Sequence, residues 1–338
     1  TEDNLQVKVI GIGVPTVVDA ATIVHDSMAH LLDTLEETEA SGLESVPAKH
    51  LLHRTRDGSW FGTDYTMNLY RGCCHGCIYC DSRSRCYQML HDFEDIEVKT
   101  DAPVLLEAEL RRKRRPCMIA TGAMSDPYLP LEAELQLTRR CLEIIGRYGF
   151  GLSVLTKSNL ILRDLELLAA IHRKTKCVVQ MTLTTYDESL CRVLEPGVCT
   201  TKARFDVLRA MRDHGIPTVV WLCPLLPFLN DTEENLRGIL DYCVRAGVWG
   251  ILTFGIGLTL REGNREYFYA ALDRHFPGLK AAYRQTFGER YQVTSSHSRE
   301  LMRIFRDECR KHGIVCDPDE IFRFLHTFPE EAEQLTFF

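Results

Sequence analysis

Five of the fourteen cysteines of this 338-residue chain fall within residues 68–87, and three of them, Cys73, Cys77 and Cys80, form a C-x3-C-x2-C pattern. Glycines before and between them free the backbone to curl, so that the three thiolates can point at one centre. Short cysteine loops of this kind hold iron–sulfur clusters. Three ligands on a four-iron cube leave one iron open, much as catalytic zinc keeps a position for water or substrate. The pattern therefore predicts a [4Fe-4S] cluster that takes part in chemistry.

A structural zinc site is the main alternative for this segment. Zinc needs four ligands, and Cys74, His75 or Cys86 could complete the set. Zinc ribbons usually carry two C-x2-C knuckles separated by a spacer, and the sequence has no second knuckle of that kind, which favours the cluster. We expect Cys74 to point away from the site and Cys86 not to be a ligand. With zinc bound, the chain would be a non-catalytic zinc-binding or regulatory module on a barrel scaffold.

Composition and charge are those of an ordinary globular chain. The sequence is 45% apolar and 26% charged, which excludes wholesale disorder, collagen and coiled coil. Forty lysines and arginines against 47 aspartates and glutamates give a net charge of −7, so the whole chain is not a general polyanion binder. No stretch of 18 apolar residues occurs and the first residues are acidic, so we expect no membrane partner and a cytoplasmic protein.

Short apolar runs alternate with longer segments of helical period from Met67 onward. The runs predict six strands, at 66–69, 117–121, 152–156, 178–183, 218–223 and 250–254. The segments between them predict helices at 105–114, 131–147, 163–172, 201–214 and 233–246. Six βα units predict an α/β fold whose parallel sheet closes part of a barrel, with the chemistry at the carboxyl ends of the strands.

The cysteine loop resembles that of the radical S-adenosylmethionine (SAM) enzymes. Residues 68–84 are similar to the spore photoproduct lyase-like branch of that superfamily, whose members are often labelled DNA repair photolyases. The similarity covers roughly residues 48–325 and includes the segments 121–128, 156–158, 195–197, 224–227 and 257–261. The resemblance implies a partial (β/α)6 TIM-like barrel of the radical SAM type, with Cys73, Cys77 and Cys80 on the cluster.

The resemblance also implies an activity. Enzymes of this kind cleave SAM reductively, and a 5′-deoxyadenosyl radical then abstracts hydrogen from the substrate. For this chain it implies a lyase-like radical SAM enzyme with DNA or another nucleic acid as the candidate substrate. A flavodoxin- or ferredoxin-type protein is the implied electron donor.

Four residues near the cysteine loop and the second strand are expected to contact SAM. Tyr79 resembles the aromatic that lies beside the adenine in this superfamily, and packing on the core is its alternative role. Gly122, Ser125 and Asp126 form a turn before Pro127, where the family has its amino-binding motif. Glycine permits close backbone approach and Asp126 can accept a hydrogen bond from the SAM ammonium, while an ordinary Asp-Pro turn is the alternative.

Four residues further along the chain complete the expected SAM site. Lys157, after the third strand, is a point charge suited to a carboxylate. Thr182 or Thr184, at the end of the fourth strand, could contact the ribose hydroxyls. The segment 195–197 followed by Arg204 is similar to the lyase pattern in which an arginine clamps the SAM carboxylate, and a salt bridge on a helix surface is the alternative.

The match to spore photoproduct lyase itself fails at three positions. Ala123 stands where the lyase has the cysteine that returns hydrogen to the product radical. Phe93 stands where a relaying tyrosine is expected, and Asp81 follows the last cluster cysteine in place of a tyrosine. These changes do not prevent SAM cleavage, but they argue against repair of the thymine dimer.

Basic residues form one dense run, at 111–115, which we expect to be a solvated helix end and not a DNA clamp. Arginines close to the barrel mouth are better candidates for an anionic substrate. They are Arg83, Arg85, Arg261 and Arg265.

Residues 1–36 are similar to a segment of the germination protease of spore-forming bacteria, and their pattern predicts a strand, a turn and a helix. Asp19 alone cannot supply the two carboxylates that an acid protease needs, so we expect a fused fragment without proteolytic function. The predicted organisation continues with a polar linker at 37–48, the barrel at 49–257 and a C-terminal helical cap at 258–338.

Overall fold

The structure, a computed structural model, describes residues 50–55, 63–89 and 91–329, together with the backbone of residues 6–11 and 14–19. Its strands, in chain order, are β1 (Gln6–Gly11), β2 (Val14–Asp19), β3 (Leu52–Arg54), β4 (Tyr65–Met67), β5 (Tyr70–Arg71), β6 (Glu97–Val98), β7 (Met118–Thr121), β8 (Gly151–Thr156), β9 (Cys177–Thr182), β10 (Thr218–Trp221), β11 (Gly250–Leu252), β12 (Gly257–Thr259) and β13 (Gln292–Thr294). The main sheet has the order β11-β10-β9-β8-β7-β4-β3.

Six neighbouring strands of this sheet, β4 and β7 to β11, run parallel, and β3 joins the edge antiparallel to β4. They are the six strands that the apolar runs predict, with ends that differ by one or two residues. Every residue of β9 is buried, as expected for a parallel sheet that is covered on both faces. The α/β fold and the partial barrel predicted from the sequence are confirmed.

Helices follow the strands as the βα pattern requires. In chain order they are α1 (Ala102–Arg111), α2 (Glu132–Leu135), α3 (Leu137–Tyr148), α4 (Leu165–Lys174), α5 (Glu188–Leu194), α6 (Thr201–Asp213), α7 (Glu233–Ala246), α8 (Asn264–His275), α9 (Leu279–Phe287), α10 (Ser298–His312) and α11 (Pro318–His326). The limits of α7 are those predicted, because both of its ends carry clear signals. The Thr232 side chain accepts from the N–H of Asn235, and Gly247 ends the helix with a φ of +64°.

Three helices differ from the predicted limits by two residues or more. The predicted helix at 105–114 lies three residues earlier, at Ala102–Arg111. The segment 131–147 is interrupted at Gln136, which has a φ of +48°. The break lets the carboxylate of Glu132 accept from the N–H of Thr138 and from the hydroxyl of Tyr70. The predicted helix at 163–172 is preceded by a 3-10 turn at Asn159–Asp164 and begins in α form at Leu165.

The region after β11 contains strands as well as the expected helices. In it, β12 pairs antiparallel with β13 across an insertion that holds α8 and α9. At the other end of the chain, β1 pairs antiparallel with β2 and is joined to β6 by a parallel bridge. The helix predicted within residues 1–36 lies outside the described residues, so the comparison with the germination protease stays a prediction. No helix in the described parts of the chain is both long and apolar enough to cross a membrane.

Candidate active site

A cavity of about 770 Å³ lies at the carboxyl ends of the parallel strands. The loops that follow β4, β7, β8, β10 and β11 line it, and β12 and β13 close its outer side. We call the part lined by the cysteine loop, residues 73–80, the cluster end. The part lined by Phe254, Arg261 and Tyr291 is the cap end.

Three thiols, those of Cys73, Cys77 and Cys80, face the cluster end. The loop that carries them turns at Gly72, which has a φ of +88° and where a Cβ would lie 2.7 Å from two backbone carbonyl oxygens. Burial raises the pKa of Cys73 well above its ordinary value, and the neighbouring thiols of Cys80 and Cys77 raise it further. The fold therefore brings the three predicted ligands to one place.

This donor set fits an iron–sulfur cluster. Burial raises the pKa of Cys77 to about 12, so three thiolates need a compensating cation if they are to share the cavity. Bound iron supplies that charge. No group of three or more His, Cys, Asp and Glu residues in the described chain is arranged to hold a single metal ion. The thiolates of a cubane bind different corners, and they stand further apart than the ligands of one ion.

Two nearby cysteines do not line the cavity. Cys74 is 6% exposed and packs in the main core. Cys86 is exposed, and its sulfur accepts a hydrogen bond from Arg261 at 3.4 Å. Both placements agree with the expectation that neither thiol is a ligand.

Asp126 lies at the cluster end, where protein groups contact both of its carboxylate oxygens. Oδ1 accepts from the hydroxyl of Thr156 at 2.6 Å and from the N–H of Tyr128 at 2.9 Å. Oδ2 accepts from the N–H of Lys157 at 2.8 Å and lies 3.0 Å from Nε2 of His75. Although burial acts to raise it, the facing His75 and these hydrogen bonds lower the pKa of Asp126 to about 2.

The four contacts of Asp126 give it a structural role at the cavity wall. They join the loops after β7 and β8 to the cysteine loop. A carboxylate offers about four acceptor positions, so little capacity remains for an ammonium group of SAM. Asp126 is therefore placed to position the loops around the cavity.

Ser125 and Gly122 shape the same wall. The Ser125 hydroxyl donates to the carbonyl of Gly72 and so holds the start of the cysteine loop. Gly122 has a φ of +101°, and a Cβ there would lie 1.8 Å from the carbonyl oxygen of Leu155. Only glycine allows the loop after β7 to lie this close to β8.

Lys157 and Thr182 also face the cavity. The Lys157 ammonium lies 5.8 Å from the ring centroid of Tyr79, and within the described residues no carboxylate forms an ion pair with it. Burial acts to lower the pKa of Lys157, but the neighbouring Cys77 and Glu195 raise it above its ordinary value. The cluster end therefore presents a charged ammonium group to any anionic part of a ligand.

Tyr79, Thr184 and Arg204 are placed differently from one another. Tyr79 lines the cavity, and its hydroxyl donates to the buried carboxylate of Glu195. Thr184 is fully buried, contacts the hydroxyl of Thr185 at 3.2 Å and does not line the cavity. The structure thus brings Tyr79 to the expected site but leaves Thr184 outside it.

The structure differs from both expectations for Arg204. Its side chain is fully buried, so it is neither on a helix surface nor on the cavity wall. Nη2 lies 2.5 Å from Oε2 of Glu195, and the guanidinium donates to the carbonyls of Cys199 and Thr182. Sequence reasoning missed Glu195 as its partner, although nine residues across a turn is a spacing that permits the contact.

The cap end was the part of the site least visible in the sequence. Phe254 and Tyr291 line it and are 51% and 50% exposed. Arg261 lies between Tyr291 and Asp81, with Nη2 2.8 Å from the Tyr291 hydroxyl and Nε 3.3 Å from Asp81. Of the four arginines expected near the barrel mouth, Arg261 alone lines the cavity in the described chain.

The structure contradicts the expectation for the other three arginines. Arg83 forms two hydrogen bonds with Glu94, at 2.6 and 3.0 Å, and stacks on the ring of Tyr267. Arg85 pairs with Glu262 at 2.5 Å, and Arg265 pairs with Glu289 at 3.0 Å. These arginines attach the cysteine loop to the cap or stabilise the cap itself.

Comparisons with known proteins agree with this geometry. The family model described as the Radical SAM superfamily matches residues 67–273. This is more than half of the chain, and the chain belongs to the radical SAM superfamily. An uncharacterized protein of Mycobacterium tuberculosis is 33% identical over 265 residues, which are 76% of this chain and 77% of that protein. An uncharacterized protein of Methanocaldococcus jannaschii is 31% identical over 174 residues, which are 51% of this chain and 64% of that protein.

Solved structures with the same fold include spore photoproduct lyase. A double mutant of the lyase with bound AdoMet and dinucleoside spore photoproduct gives a TM-score of 0.56 at 16% identity, over 78% of each chain. A single mutant of the lyase gives a TM-score of 0.56 at 14% identity, over 85% of this chain and 93% of that one. At these identities the likeness shows the fold, and the predicted lyase-type barrel is confirmed.

Proposed function

We propose that this chain binds a [4Fe-4S] cluster through Cys73, Cys77 and Cys80 and cleaves SAM reductively. The observation that carries the proposal is the convergence of three thiols and one ammonium group on a single cavity at the strand ends. When bound together, the cluster and SAM supply one-electron reduction and hydrogen abstraction. The protein's part is to bind and orient the two groups and to exclude water.

Within the cavity, the residues around the thiols divide the binding of SAM. Lys157 provides a positive charge for the carboxylate of its methionyl part. Gly122 and Ser125 let the backbone after β7 approach the ligand, and Thr182 offers a hydroxyl to the ribose. Tyr79 presents a ring to the adenine. An electron donor of flavodoxin or ferredoxin type completes the proposed system.

The substrate we propose is DNA or another nucleic acid. Support comes from the cap end, where the half-exposed rings of Phe254 and Tyr291 line the cavity and the guanidinium of Arg261 lies 5.4 Å from the ring centroid of Tyr291. Exposed rings next to a cation are the side chains that bind single-stranded or unstacked nucleotides. Ala123 lines the cavity and brings no thiol to it, so the hydrogen transfer of spore photoproduct lyase is not part of the proposal.

The test is anaerobic reconstitution of the full chain, followed by iron and sulfide analysis and an assay for 5′-deoxyadenosine. We expect about four iron and four sulfide per chain. Cys77→Ala should abolish 5′-deoxyadenosine formation, whereas Cys86→Ala should keep the cluster. Zinc in place of iron, or an unchanged yield from Cys77→Ala, would remove the proposed function. Adding ultraviolet-irradiated or unirradiated DNA tests the substrate separately, because a nucleic acid substrate should raise the yield.

A further inference from the structure

We propose that Glu195 and Arg204 are positioning residues that hold the cysteine loop through Tyr79, and that the buried charge of Glu195 lowers the reduction potential of the cluster. We call Tyr79, Glu195 and Arg204 the clasp. The inference rests on the proposed function, because it assigns a role toward the cluster to residues that do not bind it. None of the three residues is a proposed ligand of the cluster.

Backbone contacts show that the segment before and after Glu195 follows the cysteine loop closely. The N–H of Ile78 donates to the carbonyl of Leu194 at 3.0 Å, and the N–H of Gly197 donates to the carbonyl of His75 at 2.9 Å. A Cβ at Gly197 would lie 2.6 Å from the carbonyl oxygen of Cys74. The two backbones are therefore in direct contact between the first and the last cysteine of the loop.

The side chain of Glu195 adds a hydrogen bond and an ion pair to this pairing of the two backbones. Its Oε1 accepts from the hydroxyl of Tyr79, the residue immediately before Cys80. Its Oε2 lies 2.5 Å from Nη2 of Arg204, and both side chains are 0% exposed. One carboxylate thus joins the cysteine loop to the helix α6.

Arg204 attaches the pair to the barrel. Its Nη1 donates to the carbonyl of Thr182, the last residue of β9, at 3.0 Å. Its Nε and Nη2 donate to the carbonyl of Cys199 at 3.0 and 2.8 Å. Through Glu195 and Arg204, the position of Tyr79 is therefore fixed relative to the end of a central strand. A loop that is attached to a rigid strand end holds its bound group in a precise geometry.

Stability alone does not account for the clasp. A buried ion pair contributes little to stability compared with apolar side chains of the same volume, because both charges lose their hydration. A buried carboxylate beside the cysteine loop does have an effect that apolar packing cannot have. Reduction adds an electron to the cluster; the Arg204 guanidinium and the Lys157 ammonium favour it, and the Glu195 carboxylate offsets them, so that loss of the carboxylate charge should ease reduction.

A matched arrangement elsewhere in the chain provides the control. The carboxylate of Asp164 is also fully buried, accepts from the hydroxyl of Tyr128 at 3.2 Å and lies 2.7 Å from Arg139 and from Arg163. Like the clasp, it joins a tyrosine, a carboxylate and arginine side chains, but within the described residues its side-chain hydrogen bonds and ion pairs are to Tyr128, Arg139 and Arg163 and not to the cysteine loop. Asp164→Asn therefore reports the general cost of neutralising a buried carboxylate.

The experiment compares the reconstituted full chain with Glu195→Gln, Tyr79→Phe and Asp164→Asn. The measurements are the midpoint potential, the EPR spectrum after dithionite reduction, the rate of iron loss to a chelator and the melting temperature. We expect Glu195→Gln to shift the midpoint potential to a more positive value and Asp164→Asn to leave it at the wild-type value. Tyr79→Phe should release iron about tenfold faster, as loss of one hydrogen bond to a charged group implies.

Several outcomes would overturn the clasp. One is an equal potential in wild type and Glu195→Gln, and another is an equal shift in Glu195→Gln and Asp164→Asn. If Glu195→Gln does not fold, Tyr79→Phe decides, because it removes only one hydroxyl. A wild-type EPR spectrum and a wild-type rate of iron loss in Tyr79→Phe contradict the inference. Changed values at an unchanged melting temperature support it. A wild-type chain that binds no iron contradicts the proposed function itself, which separates the two failures.

Discussion

The two ends of the cavity differ in how their polar groups are held. At the cluster end, Asp126 is 8% exposed and its oxygens contact four protein groups on three loops. At the cap end, the side chain of Asp81 is 35% exposed, and Arg261, Thr259 and Tyr87 contact it at distances of 3.2 to 3.3 Å. Buried and fully contacted groups fix one geometry, whereas half-exposed groups at longer distances can rearrange.

In the proposed function, this difference separates the two tasks of the site. Cofactor chemistry needs ligands within a fraction of an ångström of their working positions, which the packed cluster end provides. Substrate binding tolerates and often requires adjustment, which the cap end allows. Residues that distinguish this chain from other radical SAM proteins are therefore expected at the cap end, and residues that it shares with them at the cluster end.

The sharpest test of the comparison is the same substitution at two glycines. Gly122 and Gly255 have nearly equal φ values, +101° and +105°, and both line the cavity. At Gly122 a Cβ would lie 1.8 Å from a carbonyl oxygen, whereas nothing lies within 4 Å of a Cβ at Gly255. Gly122→Ala should lower the free energy of unfolding by at least about 3 kcal/mol, and Gly255→Ala by about 1 kcal/mol. Urea unfolding of the apo chain measures both, and equal effects would show that the two ends are packed alike.

Asp126→Asn gives the next largest effect and has a defined pH dependence. The carboxyl has a pKa of about 2 in the fold against an ordinary value of 3.8, and one pKa unit corresponds to about 1.4 kcal/mol. Since the folded pKa is the lower one, this stabilisation is present above pH 3.8 and is lost as the pH falls toward 2. The free energy of unfolding of wild type should therefore exceed that of Asp126→Asn by about 2 kcal/mol at neutral pH.

The measurement for Asp126→Asn is urea unfolding of the apo chain at several pH values, with Asp81→Asn as the cap-end control. The control should lose less than about 1 kcal/mol, because its ion pair is partly exposed. A difference between wild type and Asp126→Asn that stays constant from pH 5 to pH 2 would contradict the assigned contacts.

The sequence predicts the barrel and the three thiols because their signals are local. Strands such as β9 are buried on both faces, so their apolar residues are consecutive and visible in a short window. The spacing of Cys73, Cys77 and Cys80 lies within eight residues. The break at Gln136 is different, because it depends on the bond from Tyr70 to Glu132, residues that are 62 positions apart. No pattern within the helix reports such a contact.

Arg261 was expected near the barrel mouth and lines the cavity there, but its contacts at the cap end could not be predicted, for the same physical reason. Arg261 meets Asp81 across 180 residues, and its place beside Tyr291 depends on the pairing of β12 with β13. Each of these strands has three residues, too few to show an alternating pattern. Arg204 is the intermediate case: an arginine nine residues after a glutamate is visible in the sequence, but only the fold shows that the pair is buried.

Arg261→Gln has the smallest expected effect on stability, less than about 1 kcal/mol, since its ion pair with Asp81 is partly exposed. Its effect on nucleic acid binding should be clearer. If Arg261 contacts a phosphate, the slope of log affinity against log salt for a fluorescent oligo-dT probe should fall by about 0.7.

Arg85→Gln is the control, because Arg85 is exposed, pairs with Glu262 and does not line the cavity. Fluorescence anisotropy at several salt concentrations measures both. Equal slopes in the two variants would mean that the cap end recognises something other than a phosphate. The roles assigned to residues at the cluster end do not depend on this result.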